Sequence, residues 1–166
     1  MKVLIVYASA GAGHRKAAEA LYEYLLEFGP KEKLQLKIID ILDYASVFYS
    51  FLYSKGYIFV ISRLQFVWYC LYRLSFLLPH NLLRVSFDYS NCLKFIKLLE
   101  KERPDVVVST HFLANSVITA YKKNHPTEKI RLVTVVTDYT LHPFWVASGV
   151  DLYNVSCDEV KSQLLK

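Results

Sequence analysis

The strongest constraint on this chain's fold lies at its very start. Lys2–Ala8 (KVLIVYA) is an unbroken apolar run rich in β-branched residues, and the turn Ser9-Ala10-Gly11-Ala12-Gly13-His14 follows at once. Strict alternation would indicate a sheet with one wet face. An unbroken run indicates a strand covered on both faces, as in a parallel sheet. From His14 to Phe28 apolar residues recur at helical spacing (Ala17, Ala18, Leu21, Tyr22, Leu25, Leu26), and Gly29-Pro30 stops the helix. Leu34–Ile39 alternates and reads as a second strand, ending at Asp40. Together these make a βαβ unit with a right-handed crossover.

The same pattern returns near the end of the chain. Asp105–Ser109, Ile130–Val136 and Asp151–Val155 read as strands, and Asn115–Lys123 and Asp158–Leu165 as helices. Between the two halves, Tyr44–Leu78 reads as two helices or one broken helix ended by Pro79. Leu82–Lys101 reads as a single helix, basic toward its C-terminus as the helix dipole favours. The expected architecture is α/β: one domain, 1–166, with a Rossmann-like doubly wound parallel sheet and a helical, aromatic-rich insertion over 44–103. Ligands of such sheets bind beyond the carboxyl ends of the strands. The polar segments Ser9–His14, Thr110-His111 and Thr137–His142 fall there.

Charge singles out the same insertion. Residues 1–44 carry six Lys/Arg and six Asp/Glu, as do residues 104–166, so the net +5 comes entirely from 45–103. There Lys55, Arg63, Arg73, Arg84, Lys94, Lys97, Lys101 and Arg103 face only Asp88, Glu100 and Glu102, among many Tyr, Phe and Trp residues. Aromatic residues at helical spacing are ordinarily core, and basic residues between them ordinarily solvated. One small domain cannot easily bury so many rings, however, and exposed basic aromatic helices suit an anionic membrane surface. Arg63, Trp68 and Arg73 are the membrane-facing candidates. Nucleic acid is disfavoured, because the basic residues lie among large apolar ones and no recognition motif is present. The stretch Tyr57–Leu78 is interrupted by Arg63 and Arg73, whereas a membrane span needs ~20 residues with few charges. The start of the chain lacks the features of a signal peptide. Cys70, Cys92 and Cys157 show neither a metal-site spacing nor a disulfide framework, which makes a reducing compartment the default.

Three segments could carry chemistry. In the first, glycines let backbone N–H groups approach an anion, and His14 sits on the first helical turn, where the dipole favours the neutral base. The bland reading is a tight turn with an exposed His. The second is Thr137-Asp138-Tyr139-Thr140-Leu141-His142-Pro143-Phe144-Trp145. Asp138 follows a buried strand and can orient a histidine or bind a sugar hydroxyl; alternatively it caps a turn, with Phe144 and Trp145 as core. The third, Ser109-Thr110-His111-Phe112, reads more naturally as a helix cap with a packed or exposed His. Gly11, Gly13 and Asp40 also stand roughly as a dinucleotide-binding fingerprint requires, but Lys16 occupies its third glycine position. A dinucleotide-binding oxidoreductase domain and a non-enzymatic membrane-binding module are therefore the competing readings.

The glycine-His turn, the TDxxxHPFW segment and the closing DLYNVSCDEVKSQLL together resemble the N-terminal region of monogalactosyldiacylglycerol synthases and the related processive diacylglycerol glucosyltransferases. The resemblance runs from Met1 to Lys166. It implies the first half of a GT-B fold and inverting transfer of galactose or glucose from UDP-galactose or UDP-glucose to diacylglycerol. It implies neither a metal ion nor a cofactor. His14 and Asp138 would be the catalytic residues, His14 as general base. Ser9, Gly11, Gly13, His111, His142 and Trp145 would bind substrate, with the glycine turn toward the donor diphosphate. The partners implied are diacylglycerol, an anionic lipid surface at the cytoplasmic face of a membrane, where the enzyme is peripheral, and a C-terminal donor-binding domain. That domain is absent from this chain, so the chain alone is expected to be inactive.

Overall fold

The computed structural model describes residues 1–77 and 82–165. Five strands form one parallel sheet: β1 (Lys2–Tyr7), β2 (Gln35–Asp40), β3 (Val106–Ser109), β4 (Arg131–Val136) and β5 (Leu152–Val155), in the order β2-β1-β3-β4-β5. Val3 pairs with Val106 and Val6 with Ser109, so β1 and β3 lie side by side. The chain leaves β1 toward one edge of the sheet and later returns to β3 on its other flank. The strand order therefore reverses between β1 and β3, and a crevice opens there at the carboxyl ends.

The unbroken apolar run of β1 is explained by burial on both faces. Helix α1 (Ala12–Phe28) lays Ala18 against Val3 and Ile5. On the opposite face, Leu4, Val6, Val107 and Leu132 meet α6 (Leu93–Glu102) through Phe95 and Leu99, and α7 (Phe112–Asn124) through Leu113, Val117 and Ile118. The expected doubly wound sheet is therefore present. Helix α7 begins three residues earlier than the apolar periodicity suggests, because His111 caps it.

The insertion is a chain of short helices: α2 (Val47–Phe51), a π-helical turn (Leu52–Gly56), α3 (Tyr57–Arg63) and α4 (Gln65–Leu77), followed by α5 (Leu82–Asn91). Leu64, at φ −123° and ψ 52°, breaks α3 from α4. The expected stop at Pro79 lies outside the described residues. The single helix expected over Leu82–Lys101 is instead two, α5 and α6. The reason is a long-range bond: the Asn91 carbonyl accepts the backbone N–H of Ser46 at 2.8 Å, and the ladder restarts from Cys92. Many rings on the insertion stay in solvent, Phe48 at 69% and Phe66 at 78% exposed. Among the described residues no helix is long and apolar enough to cross a membrane.

Candidate active site

Every strand of a parallel sheet points its carboxyl end the same way, so the turns after β1, β3 and β4 converge. The N-cap of α1 is Gly11, which offers no side chain, and the first turn carries no acidic residue. Its N–H groups thus lack a side-chain partner from the helix itself. A Cβ at Gly13 would meet nothing within 4 Å, so protein packing does not demand glycine there.

His14, on that first turn, bridges the crevice. Its Nδ1 lies 2.9 Å from the Thr110 carbonyl oxygen and 2.9 Å from Thr137 Oγ1. A carbonyl only accepts, so Nδ1 carries the proton and Nε2 the lone pair. Thr110 Oγ1 donates in turn to the His14 carbonyl at 2.9 Å. Burial pushes the His14 pKa below the ordinary imidazole value, opposed by the Thr110 carbonyl and the charge of Asp138. The neutral base is thus favoured chiefly by desolvation, where the sequence pointed to the helix dipole.

His111 packs edge-on against His14, ring centroids 4.6 Å apart, and is 2% exposed. Its Nδ1 accepts the Leu113 N–H at 3.1 Å, capping α7. Burial, reinforced by His14, holds its pKa well below the ordinary value. A folded-state pKa below the unfolded one means that the unfolded chain binds more protons, so stability falls as pH drops below about 6.5. Substituting His111→Asn keeps a capping side chain and removes the titration. Chemical denaturation at pH 7.5 and pH 5 should show a smaller acid loss in this variant; an equal loss would place the sensitivity elsewhere.

Asp138 lies at the end of β4. Its Oδ2 accepts the Trp145 indole N–H at 2.7 Å, and Trp145 is fully buried. Trp145 is therefore core and an anchor for Asp138, and it is not a substrate-contacting surface. His142 Nδ1 accepts the Phe144 N–H at 3.2 Å, and Nε2 lies 2.9 Å from Ser75 Oγ on α4. Ser75 donates to the Tyr72 carbonyl at 2.6 Å, so His142 Nε2–H donates to Ser75. His142 thereby ties the sheet-edge loop to the insertion.

Between the strand ends and the insertion lies a cavity of about 760 Å³. Its lining includes the polar or small residues Gly11, His14, His111, Thr137, Asp138 and His142, and the apolar residues Leu52, Val60, Trp68, Leu71, Phe112 and Phe144. The π-helical turn contributes Tyr53 and Gly56 to this lining. Trp68, expected on a membrane face, lines this cavity instead and packs edge-on against Tyr57 at 5.2 Å, because α4 folds back over α3. Arg63 and Arg73 are exposed. Ser9 is exposed outside the cavity lining, its N–H donating to Asp40 at 3.3 Å, and Gly13 is exposed beside it. Asp40 also accepts the Leu42 N–H at 2.9 Å and is buried, so it is spent on capping and does not present itself to a nucleotide ribose. Thr110 and Thr137 lie in segments that the sequence marks at the strand ends but gives no role of their own, and Ser75 is not marked at all; their neighbourhood with His14 and His142 arises only on folding.

Among the described residues no group of three or more His, Cys, Asp or Glu side chains is placed to hold a metal ion. No solved structure matches the chain significantly. The chain is 28% identical to a processive diacylglycerol beta-glucosyltransferase of Bacillus subtilis (strain 168), covering 99% of this chain and 42% of that protein. It is likewise 28% identical to a probable chloroplastic monogalactosyldiacylglycerol synthase 2 of Oryza sativa subsp. indica, covering 99% and 35%. A Staphylococcus carnosus processive diacylglycerol beta-glucosyltransferase is 27% identical, covering 99% and 40%. The chain thus spans about two fifths of the length of these curated relatives. The sequence profile of the monogalactosyldiacylglycerol (MGDG) synthase family matches residues 14–166, and the chain belongs to that family.

Proposed function

We propose that this chain forms the acceptor-binding half of an inverting glycosyltransferase that moves galactose or glucose from a UDP-sugar to diacylglycerol. The observation that carries this reading is the mixed cavity, in which a desolvated histidine base shares one space with large apolar side chains from the aromatic insertion, whose other rings are exposed. An amphiphile with one hydroxyl fits such a shape: its hydroxyl reaches His14 while its chains lie along Leu52, Val60, Trp68 and Leu71.

In the proposed reaction the acceptor oxygen attacks the anomeric carbon, a new C–O bond forms, and the bond to UDP breaks with its electron pair leaving on the phosphate. The acceptor proton passes to His14 Nε2. Asp138 lies where its charge favours the resulting imidazolium. In this reading the uncapped start of α1, with open space at Gly13, faces the donor diphosphate, and a C-terminal donor-binding domain, in cis or as a separate subunit, holds the rest of the donor. The insertion docks peripherally on an anionic membrane at its cytoplasmic face. Phe48, Phe59 and Phe66 supply apolar contact, and Lys55, Arg63 and Arg73 the charge.

The test is transfer by the full-length protein into vesicles containing diacylglycerol, with either UDP-sugar as donor. Activity and flotation are expected to be stronger on phosphatidylglycerol-containing than on neutral vesicles, and to weaken with salt as the Debye length falls to ~8 Å and below. Charge reversal at Arg63 and Arg73 should weaken binding to anionic vesicles. No transfer with either UDP-sugar would overturn the enzymatic reading, and equal binding to both vesicle types would overturn the basic lipid surface.

A further inference from the structure

We propose that Thr137 is a positioning residue for His14, its hydroxyl acting with the Thr110 carbonyl to hold the imidazole with Nε2 as its basic nitrogen. This role rests on the reading of His14 as the base. The geometry that carries it is the pair of 2.9 Å contacts converging on one ring nitrogen from two different strand ends. The Thr110 carbonyl alone favours this tautomer without holding the ring in place. A single acceptor still lets the ring swing about that bond, whereas a second acceptor from β4 fixes its plane. The backbone of His14 is already tied down, because Thr110 Oγ1 donates to its carbonyl. The side chain is thus the remaining freedom, and Thr137 removes it.

The neighbourhood makes the hydroxyl more than a filler. His111, 4.6 Å away, has Nδ1 committed to the Leu113 N–H, and Trp145, 6.1 Å away, has its N–H committed to Asp138. Arg15 and Lys16, beside His14 on α1, pair with Glu19 on the exposed side of the helix. Among the described residues, Asp138 is therefore the charged group that faces the ring, and Thr137 and the Thr110 carbonyl are its hydrogen-bond partners. When Nε2 takes up a proton, the Nδ1–H becomes part of a cation, and hydrogen bonds to a charged group are roughly twice as strong as neutral ones. Thr137 then stabilises the protonated ring more than the neutral one, which raises the basicity that burial has lowered.

Three variants separate this role from simple packing. Thr137→Val preserves shape and removes the oxygen; Thr137→Ser restores the oxygen and removes the methyl. On the 166-residue chain, long-range ¹H–¹⁵N spectra of the His14 ring should show the Nδ1–H tautomer in the wild type. Thr137→Val should show a mixed tautomer population and a lower His14 titration midpoint, and Thr137→Ser should return both to wild type. In the full-length enzyme Thr137→Val should lower kcat about ten- to a hundredfold with little change in KM, the equivalent of one hydrogen bond to a charged group. An unchanged His14 tautomer and midpoint in Thr137→Val, or a change that Thr137→Ser fails to reverse, overturns the proposal. The ring spectra judge Thr137 without reference to turnover. An active His14→Ala enzyme overturns the base reading itself, and this role with it.

Discussion

In the full-length enzyme, His14→Ala is expected to lower transfer by ~10²–10⁴-fold, the usual contribution of a positioned general base. An acceptor hydroxyl is a poor nucleophile at neutral pH, and His14 offers the cavity an unprotonated nitrogen: Nδ1 is occupied by Thr110 and Thr137, and no described residue bonds Nε2. Its pKa lies below the ordinary imidazole value, so the base form persists as pH falls below 6.5, and the acid limb of the kcat/KM profile should lie below that value. That limb should vanish in His14→Ala. Asp138→Asn tests the neighbouring carboxylate. The Asp138 charge raises the His14 pKa, so its loss should move the limb to still lower pH while Trp145 keeps an oxygen to bond. If His14→Ala retains near-normal turnover and Asp138→Asn abolishes it, Asp138 is the base. Binding of diacylglycerol-containing vesicles is the control that both variants should pass, since the exposed rings proposed to meet the lipid lie on α2 to α4.

The sheet was legible because β1 and its turn obey local rules. Continuous burial writes a continuous apolar run, and a following glycine turn with a helical repeat admits few topologies. The site was legible only as far as strand ends can be counted. His14, His111 and Asp138 could be placed at one edge of the sheet because His111 and Asp138 closely follow strands and His14 lies just past the glycine turn after β1. The tautomer and orientation of His14 could not be assigned, because they depend on partners 96 and 123 residues away in sequence, Thr110 and Thr137. Trp145 illustrates the converse. An aromatic residue after Asp138 reads equally as a ligand platform or as core, and only the buried indole bond to the carboxylate decides for core. The insertion was the least legible part. Its periodicity marks helices, but the Ser46–Asn91 bond that splits α5 from α6, and the fold-back that turns Trp68 inward, are tertiary choices with no local signature.

Asp88→Ala should cost about 3–5 kcal/mol of folding stability, a large part of the ~5–15 kcal/mol that a domain of this kind possesses. Asp88, on α5, is 1% exposed and accepts the Tyr49 hydroxyl at 2.6 Å and Arg84 Nη1 at 2.9 Å. Burial pushes its pKa up, and the Tyr49 hydrogen bond and the Arg84 charge oppose that shift. Arg84 is 18% exposed at its side chain, its Nε has no hydrogen-bond partner, and its guanidinium lies 4.2 Å from the Phe144 ring centroid. Removing the carboxylate therefore strands two donors in a place that water reaches poorly, which costs more than the pair itself contributes. Tyr49→Phe removes only one neutral donor and leaves the ion pair, so it should cost about 0.5–1.5 kcal/mol. Because the two variants share the same bond, the double variant Tyr49→Phe/Asp88→Ala should fall short of the sum of the singles. Urea unfolding followed by circular dichroism measures all three: the midpoint should drop with the m-value unchanged. The consequence reaches the site, since Phe144 lines the cavity and Tyr49 stacks on Tyr53 of the π-helical turn at 4.6 Å. Asp88 thus joins the aromatic insertion to the sheet-edge loop through Tyr49, Arg84 and Phe144, and Asp88→Ala should loosen the cavity wall. A cost below about 1 kcal/mol would mean that water satisfies Arg84 and Tyr49, and that the insertion is held by apolar packing alone.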